Sequence, residues 1–266
     1  MTAIVSFHAF SQRGTGKARN EDAVLLDAHI HQGRVREHGE IDTSRPRYFA
    51  VADGVAISTS PHLASRMLLE SLQARLCTAQ ASTPLPTLLH QVRHDYVAHS
   101  AALHGMAATL VGVRIVGRQV GIFNVGDSRA YLLHSDKNGH HVRLLSRDHS
   151  VLNDMMDDGD IAPEQSADAA SFMHGLTSLF VADPDDDAFK VHVVSHEWLP
   201  GERLLLCSDG LNEVLSDTQI AMLLAGHSED DLLNACKASR RAGGSDDFSV
   251  IMLEIKGLGL TQHGPG

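Results

Sequence analysis

Short apolar runs punctuate the chain at 3–10, 23–28, 48–52, 108–116, 119–124, 130–134, 142–145, 191–194, 203–207 and 248–255. They are rich in Val, Ile, Leu and Phe, and many close on Gly, Asp or Asn, which predicts β-strands. Two longer stretches carry a helical period instead. The first opens with Ser60-Pro61, a capping residue followed by proline at the first helical position. It repeats Leu63, Met67, Leu68, Leu72 and Leu76 along one face. The second repeats Leu85, Leu88, Leu89, Val92 and Tyr96, and both fall between the third and fourth strands. Shorter helices are predicted over 150–156, 217–224 and 229–240. The short connection between the runs 119–124 and 130–134 favours antiparallel pairing of the two. The pattern is that of an α+β protein, with antiparallel sheets packed together and covered by helices. Residues 157–190 lack periodicity and are expected to form a mobile insertion; the glycine-rich stretch 257–266 is expected to be a disordered tail.

Composition narrows the picture only a little. With 266 residues, 43% of them hydrophobic and 21% charged, the chain can bury a sizeable core as one domain over residues 1–256. The formal charge of −11 argues against a nucleic-acid surface and suits a protein that gathers cations. Cys77, Cys207 and Cys236 are scattered and odd in number, so neither a disulfide framework nor a zinc ribbon is expected. No leader sequence is visible, and no apolar run approaches the ~20 residues of a membrane helix. A soluble, cytoplasmic protein is the expectation.

The candidate chemistry lies in where the aspartates fall. Asn20-Glu21-Asp22 precedes a strand, and Asp53-Gly54 follows one. Gly126-Asp127-Ser128-Arg129 joins two strands, Ser208-Asp209-Gly210 ends another, and Ser245-Asp246-Asp247 precedes the last. Any one of these could be a turn former or helix cap. Carboxylates that converge repel one another unless cations neutralise them, and an all-oxygen set without Cys or His favours Mg²⁺ or Mn²⁺. Spacing alone does not show that the five converge. Other signals carry less. The eighteen histidines supply no completed zinc set, Gly14-Thr15-Gly16-Lys17 lacks the first glycine and final Ser/Thr of a phosphate loop, and no cysteine has an arginine six residues later.

The segments NEDAVLL (20–26), FAVADGV (49–55), AATLVGV (107–113), NVGDSRAYLL (124–133), LSRDHSVLNDM (145–155), GERLLLCSDGLNEVLSD (201–217) and GGSDDFSVIMLEI (243–255) together resemble the metal-dependent protein phosphatases of type 2C, or PPM, especially their compact bacterial members. The blocks keep the family order and span nearly the whole chain. The resemblance implies an α-β-β-α sandwich of two antiparallel sheets flanked by helices. It implies a phosphoserine/phosphothreonine phosphatase that attacks with a metal-bridged water or hydroxide and forms no covalent intermediate. Asp22, Asp53, Asp209 and Asp246 match the aspartates that hold two Mn²⁺ or Mg²⁺ ions; Gly54 matches a carbonyl ligand and Glu21 a contact to metal-bound water. Asp127, with Asp209, matches the ligands of a weaker third ion. Asp148 and His149 match a block whose role is structural, and 157–190 falls where relatives carry a flap near the active site. The implied partners are phosphorylated proteins and a cognate bacterial serine/threonine kinase, with no nucleic acid or membrane, and the chain is expected to act as a monomer.

This sequence departs from the family at three places. Lys17 stands where relatives have a phosphate-binding Arg, with Arg19 two residues on; if the segment is extended both cations project to one side, and either could bind phosphate. Asp53-Gly54 continues as Val55-Ala56-Ile57-Ser58, without the glycines and histidine usual in bacterial relatives, and His62 comes four residues too late to replace that histidine. Asp247 replaces a common Asn, to raise metal affinity or merely to face solvent. The altered loop leaves open a second reading, a catalytically weak phosphoprotein-binding or scaffold module on the same fold.

Overall fold

This computed structural model describes residues 3–100, 103–162, 173, 175–226 and 228–258. Two six-stranded antiparallel sheets lie face to face. One has the order β10 (Gly139–Leu144), β9 (Arg129–Asp136), β13 (Arg203–Cys207), β14 (Phe248–Leu258), β1 (Ala3–Gln12), β4 (Val35–Asp42). The other runs β12 (His192–Glu197), β8 (Gln119–Val125), β7 (Leu110–Val116), β5 (Arg47–Asp53), β2 (Asp22–Leu26), β3 (His29–Gln32). A two-stranded pairing of β6 (Ala107–Ala108) with β11 (Phe180–Val181) sits beside the second sheet.

The facing surfaces of the sheets enclose Val5, Val24, Phe49, Val51, Val111, Ile122, Leu204 and Ile251. Helices α1 (Pro61–Thr78) and α2 (Leu85–His99) cover the outer face of the second sheet, setting Leu68, Leu72, Leu88 and Tyr96 against Leu25, Ala50 and Phe123. Helices α5 (Asp217–Leu223) and α6 (Glu229–Arg241) cover the first through Ile220, Leu232 and Cys236, against Tyr131, Leu205 and Val250. The layers are therefore α-β-β-α. Strand β2 and most of β5 are covered on both faces, which is why they read as unbroken apolar runs rather than alternating ones.

The elements differ from expectation in one pairing and where polarity hides them. Strands β8 and β9, expected to pair with each other across their short connection, fall in different sheets: β8 pairs with β7 and β12, β9 with β10 and β13. Strands β3 and β4 are absent from the predicted set because their sequences, HIHQ and VREHGEID, occupy sheet edges and keep polar side chains half-exposed or exposed. The run predicted over 23–28 stops at Leu26, since Asp27 turns the chain at φ 53°. Ser60 caps α1 in position only. Its φ of 52° lies in the left-handed region and its side chain makes no capping bond, whereas Ser150 caps α3 (Val151–Asp157) and Ser216 caps α5 through its hydroxyl. Within 157–190, β11 is ordered against β6; residues 163–172 and 174 of the expected flap lie outside the described residues. Strand β14 runs to Leu258, two residues into the expected tail, and 259–266 also lie outside the described residues.

Candidate metal centre

Antiparallel pairing of β2 with β5 sets Asp22, the first residue of one, in register with Asp53, the last of the other. Both stand at the same end of the sandwich. Strand β13 delivers Asp209 there, at the start of the short helix α4 (Asp209–Asn212), and Asp246 and Asp247 arrive just before β14. Close backbone approach fixes these ends. A Cβ on Gly54 would lie 2.0 Å from the carbonyl oxygen of Pro61, and one on Gly210 would lie 1.9 Å from that of Asp247. Each glycine is therefore demanded by the space beside an aspartate.

Asp53, Asp127, Asp209 and Asp246 line one cavity of about 140 Å³ together with Lys17 and Gly54. Asp22 is fully buried behind them, where its Oδ2 accepts a hydrogen bond from Ser208 Oγ at 2.8 Å. Burial, then the charge of Asp247, pushes the Asp22 carboxyl up to about 6. Burial also raises Asp53 well above the usual carboxylate range, reinforced by Asp22, Asp209, Asp127 and Asp246 in turn. Asp209 is raised by burial and by Asp127, Asp246 and Asp22, while burial and Asp148 bring Asp127 up to about 6. These mutual repulsions show that the carboxylates converge. Asp22 Oδ1 and Asp209 Oδ1 are buried without a hydrogen-bond partner, a costly state for a charged oxygen.

A protein cation supplies part of the missing charge. The Lys17 ammonium is 2.7 Å from Glu21 Oε2 and 3.1 Å from Asp247 Oδ2, and it also contacts Asp246. Burial would lower its pKa, but hydrogen bonds to Asp246 and Glu21 hold it well above the ordinary lysine value. With the ammonium among the acids, no group of three His, Cys, Asp or Glu among the described residues closes on a single point. The donor set nonetheless fits hard divalent cations: it is all oxygen, includes orphaned buried carboxylate atoms, and carries more negative charge than one lysine offsets.

The remaining predicted residues divide. Glu21 joins the centre through Lys17, and its carbonyl accepts the Gly54 N–H at 3.1 Å. Arg19 does not join it; its Nη1 lies 3.0 Å from His62 Nε2, in the exposed first turn of α1. The expected common side for Lys17 and Arg19 fails because the chain bends at 18–19 rather than running extended. Asp148 and His149 support the turn that carries Asp127. Asp148 holds Arg129 through both carboxylate oxygens, with Arg129 Nη2 2.6 Å from Oδ2, and His149 Nδ1 accepts the Gly126 N–H at 3.1 Å. Asp247 does not face solvent. It is 1% exposed and accepts the Gly14 and Glu21 N–H groups at 2.6 and 2.8 Å, tying the N-terminal loop to the start of β14. Its doubling with Asp246 was the only sequence signal of that role; Ser208 and the Thr109–Ser128 hydroxyl pair, 2.7 Å apart, gave none.

The family model for protein phosphatase 2C matches residues 27–235. This chain belongs to the protein phosphatase 2C family. Among phosphatase 2C relatives, the serine/threonine protein phosphatase PstP of Mycobacterium tuberculosis is 26% identical over 262 residues, covering 96% of this chain. The chain spans only 46% of that protein's length. The serine/threonine phosphatase stp of Listeria monocytogenes is 30% identical over 253 residues, covering 88% of this chain and 95% of its own length. A solved structure of the PstP catalytic domain, described in complex with two manganese ions, superposes with a TM-score of 0.69 at 24% identity, covering 95% of this chain and 99% of that one. At that identity it bears on the fold of this phosphatase 2C chain alone.

Proposed function

We propose that this chain hydrolyses phosphoserine and phosphothreonine in proteins, with two Mn²⁺ or Mg²⁺ ions held by Asp22, Asp53, Asp209, Asp246 and the carbonyl of Gly54, and a weaker third ion at Asp127 and Asp209. The observation that carries the proposal is the meeting of carboxylates from separate strand ends in and just behind one cavity, with orphaned buried oxygens on Asp209 at its wall and on Asp22 behind it, in a chain of this family. When bound, such ions offset the charge of the phosphoryl oxygens and bring the pKa of water toward neutrality. The protein's own part is positional. Asp22 and Asp53 are fixed by strand register, Asp209 by the start of α4, and Asp246 by the anchored neighbour Asp247. Once cations satisfy Glu21, Asp246 and Asp247, the Lys17 ammonium is free to turn to a phosphoryl oxygen, as a point charge in place of the usual guanidinium fork. Arg19, directed to His62, is the more distant candidate for that role.

The test is phosphate release from a phosphothreonine peptide with Mn²⁺, with Mg²⁺ and with EDTA. Release is expected with either metal and not with EDTA. Substitution of a group that only orients a ligand costs about 10–100-fold, so Asp209→Asn should cost at least about 100-fold while retaining the native circular dichroism spectrum. Undiminished release by Asp209→Asn would overturn the assignment. The altered loop after Asp53 favours a second reading, a phosphoprotein-binding module of weak activity; tight binding of the peptide with no metal-dependent release would select it. A serine/threonine kinase acting on the same proteins is the expected counterpart, and the enzyme is proposed to work as a cytoplasmic monomer. No helix among the described residues is long and apolar enough to cross a membrane.

A further inference from the structure

The loop that departs from the family lies on the rim of the acidic cavity. Val55, Ala56 and Leu176 line that cavity together with its carboxylates, so an acidic floor meets an apolar wall. Val55 to Ser58 forms a tight turn: the Ser58 N–H donates to the Val55 carbonyl at 2.8 Å, and the Val55 N–H donates to the Ala107 carbonyl at 2.9 Å. Gly54, beneath Pro61, pins the turn at one end, and the start of α1 pins it at the other. Ile57 occupies the tip and is 97% exposed, the most exposed of the large hydrophobic side chains. A single exposed isoleucine is unremarkable on a protein surface. Here it stands outside the cavity itself but directly follows Val55 and Ala56, which line it, on a turn whose backbone is held in place. Leu176 approaches from the other side, where its backbone bridges to Ser150.

We infer that Val55, Ala56, Ile57 and Leu176 form an apolar lip that selects phosphopeptides with an aliphatic side chain two residues from the phosphorylated one. The inference rests on the phosphatase reading and adds a substrate preference to it. In an extended peptide, residues i and i+2 leave on the same side, about 6.6 Å apart. With the phosphorylated side chain directed into the cavity, the side chain two positions away meets the rim rather than solvent. An aliphatic group there covers Ile57. A carboxylate would be desolvated beside an already acidic centre, and an amide would lose water without gaining a partner.

The experiment compares three phosphothreonine peptides that differ only in carrying Leu, Gln or Glu at both positions two residues from the phosphothreonine, with p-nitrophenyl phosphate as a substrate that has no side chain to lay against Ile57. The Leu peptide should exceed the Gln peptide about tenfold in kcat/KM, equivalent to ~1.4 kcal/mol, with the Glu peptide lowest. Ile57→Ser should bring the Leu-to-Gln ratio within about twofold, and Ile57→Glu should bring it to unity or below. Non-hydrolysable phosphonate versions of the peptides, titrated by calorimetry, should bind in the same order. Equal kcat/KM for the three peptides, a preference for Glu, or a Leu-to-Gln ratio unchanged in Ile57→Ser would overturn the inference and leave the phosphatase reading standing. Failure to hydrolyse any peptide or p-nitrophenyl phosphate would overturn both.

Discussion

Strands β2 and β5 lie side by side, and their two ends treat charge in opposite ways. At one end Asp22 faces Asp53 across the ladder, and Asp22 Oδ1 is buried with no partner. At the other, Arg47 opens β5 with its side chain only 10% exposed, 2.8 Å from Asp27 and 3.1 Å from Asp42, and Arg45 adds a second contact to Asp27 at 3.2 Å. The same pair of strands thus ends once in matched ions and once in like charges. A fold that used aspartate merely to finish strands would match both ends. The unmatched end carries a cost of buried like charge that a bound cation would relieve.

That contrast can be broken from either side. The largest effect is expected at the matched end, where Arg47→Ala removes three hydrogen bonds of a buried guanidinium, leaving Asp27 to Arg45 and Asp42 to solvent, and should cost about 2 kcal/mol in urea denaturation. A cost below about 1 kcal/mol would put Arg47 among ordinary surface ions and dissolve the comparison. At the unmatched end the sign reverses. With metal removed at pH 8, Asp22→Asn relieves a buried charge that burial and Asp247 disfavour, and should gain roughly 1–2 kcal/mol. The same variant should lose the rise in Tm that Mn²⁺ gives the unaltered protein, which thermal scans with and without the ion would register.

The smallest effect is a pH dependence confined to the matched end. Hydrogen bonds from the Ser44 side chain and backbone, then Arg47, lower the Asp42 carboxyl to about 2, against about 3.9 in an unfolded chain. A depressed carboxyl contributes stability that is complete above the unfolded value and is lost as pH falls through the folded one. Loosening around Asp42 should therefore set in below about pH 4 and be half complete near 2, followed through the amide resonance of Ser44, whose N–H donates to the Asp42 carboxylate. Asp42→Asn should abolish this step, and a resonance unchanged down to pH 2 would contradict it.

The layered fold was legible in the sequence because its inner strands are apolar on both faces and its long helices keep one greasy stripe. Strands β3 and β4 escaped because pairing, not burial, holds an edge strand. The aspartates of the centre were legible as residues flanking strands, but their meeting was not, since register is a property of the pairing between β2 and β5. The position of Lys17 depended on the turn at Gly16, and that of Asp247 on backbone donors some 230 residues away in the chain, neither of which a local pattern encodes. The split between Lys17 and Arg19 comes from the bend at 18–19, which no alternation of residue types announces.

Ala107 and Ala108 make up a strand of only two residues, yet three parts of the protein hang from them and their neighbours. The Ala107 carbonyl holds Val55, Ala108 bridges to Gly54, and β11 pairs with both alanines. Thr109 next door donates to the Asp53 carbonyl at 2.8 Å. They serve as a common peg for the acid-bearing loop and for part of the expected flap. A shift of Phe180 or Val181 would reach the backbone of Asp53 and Gly54 through the peptide units of 107–109.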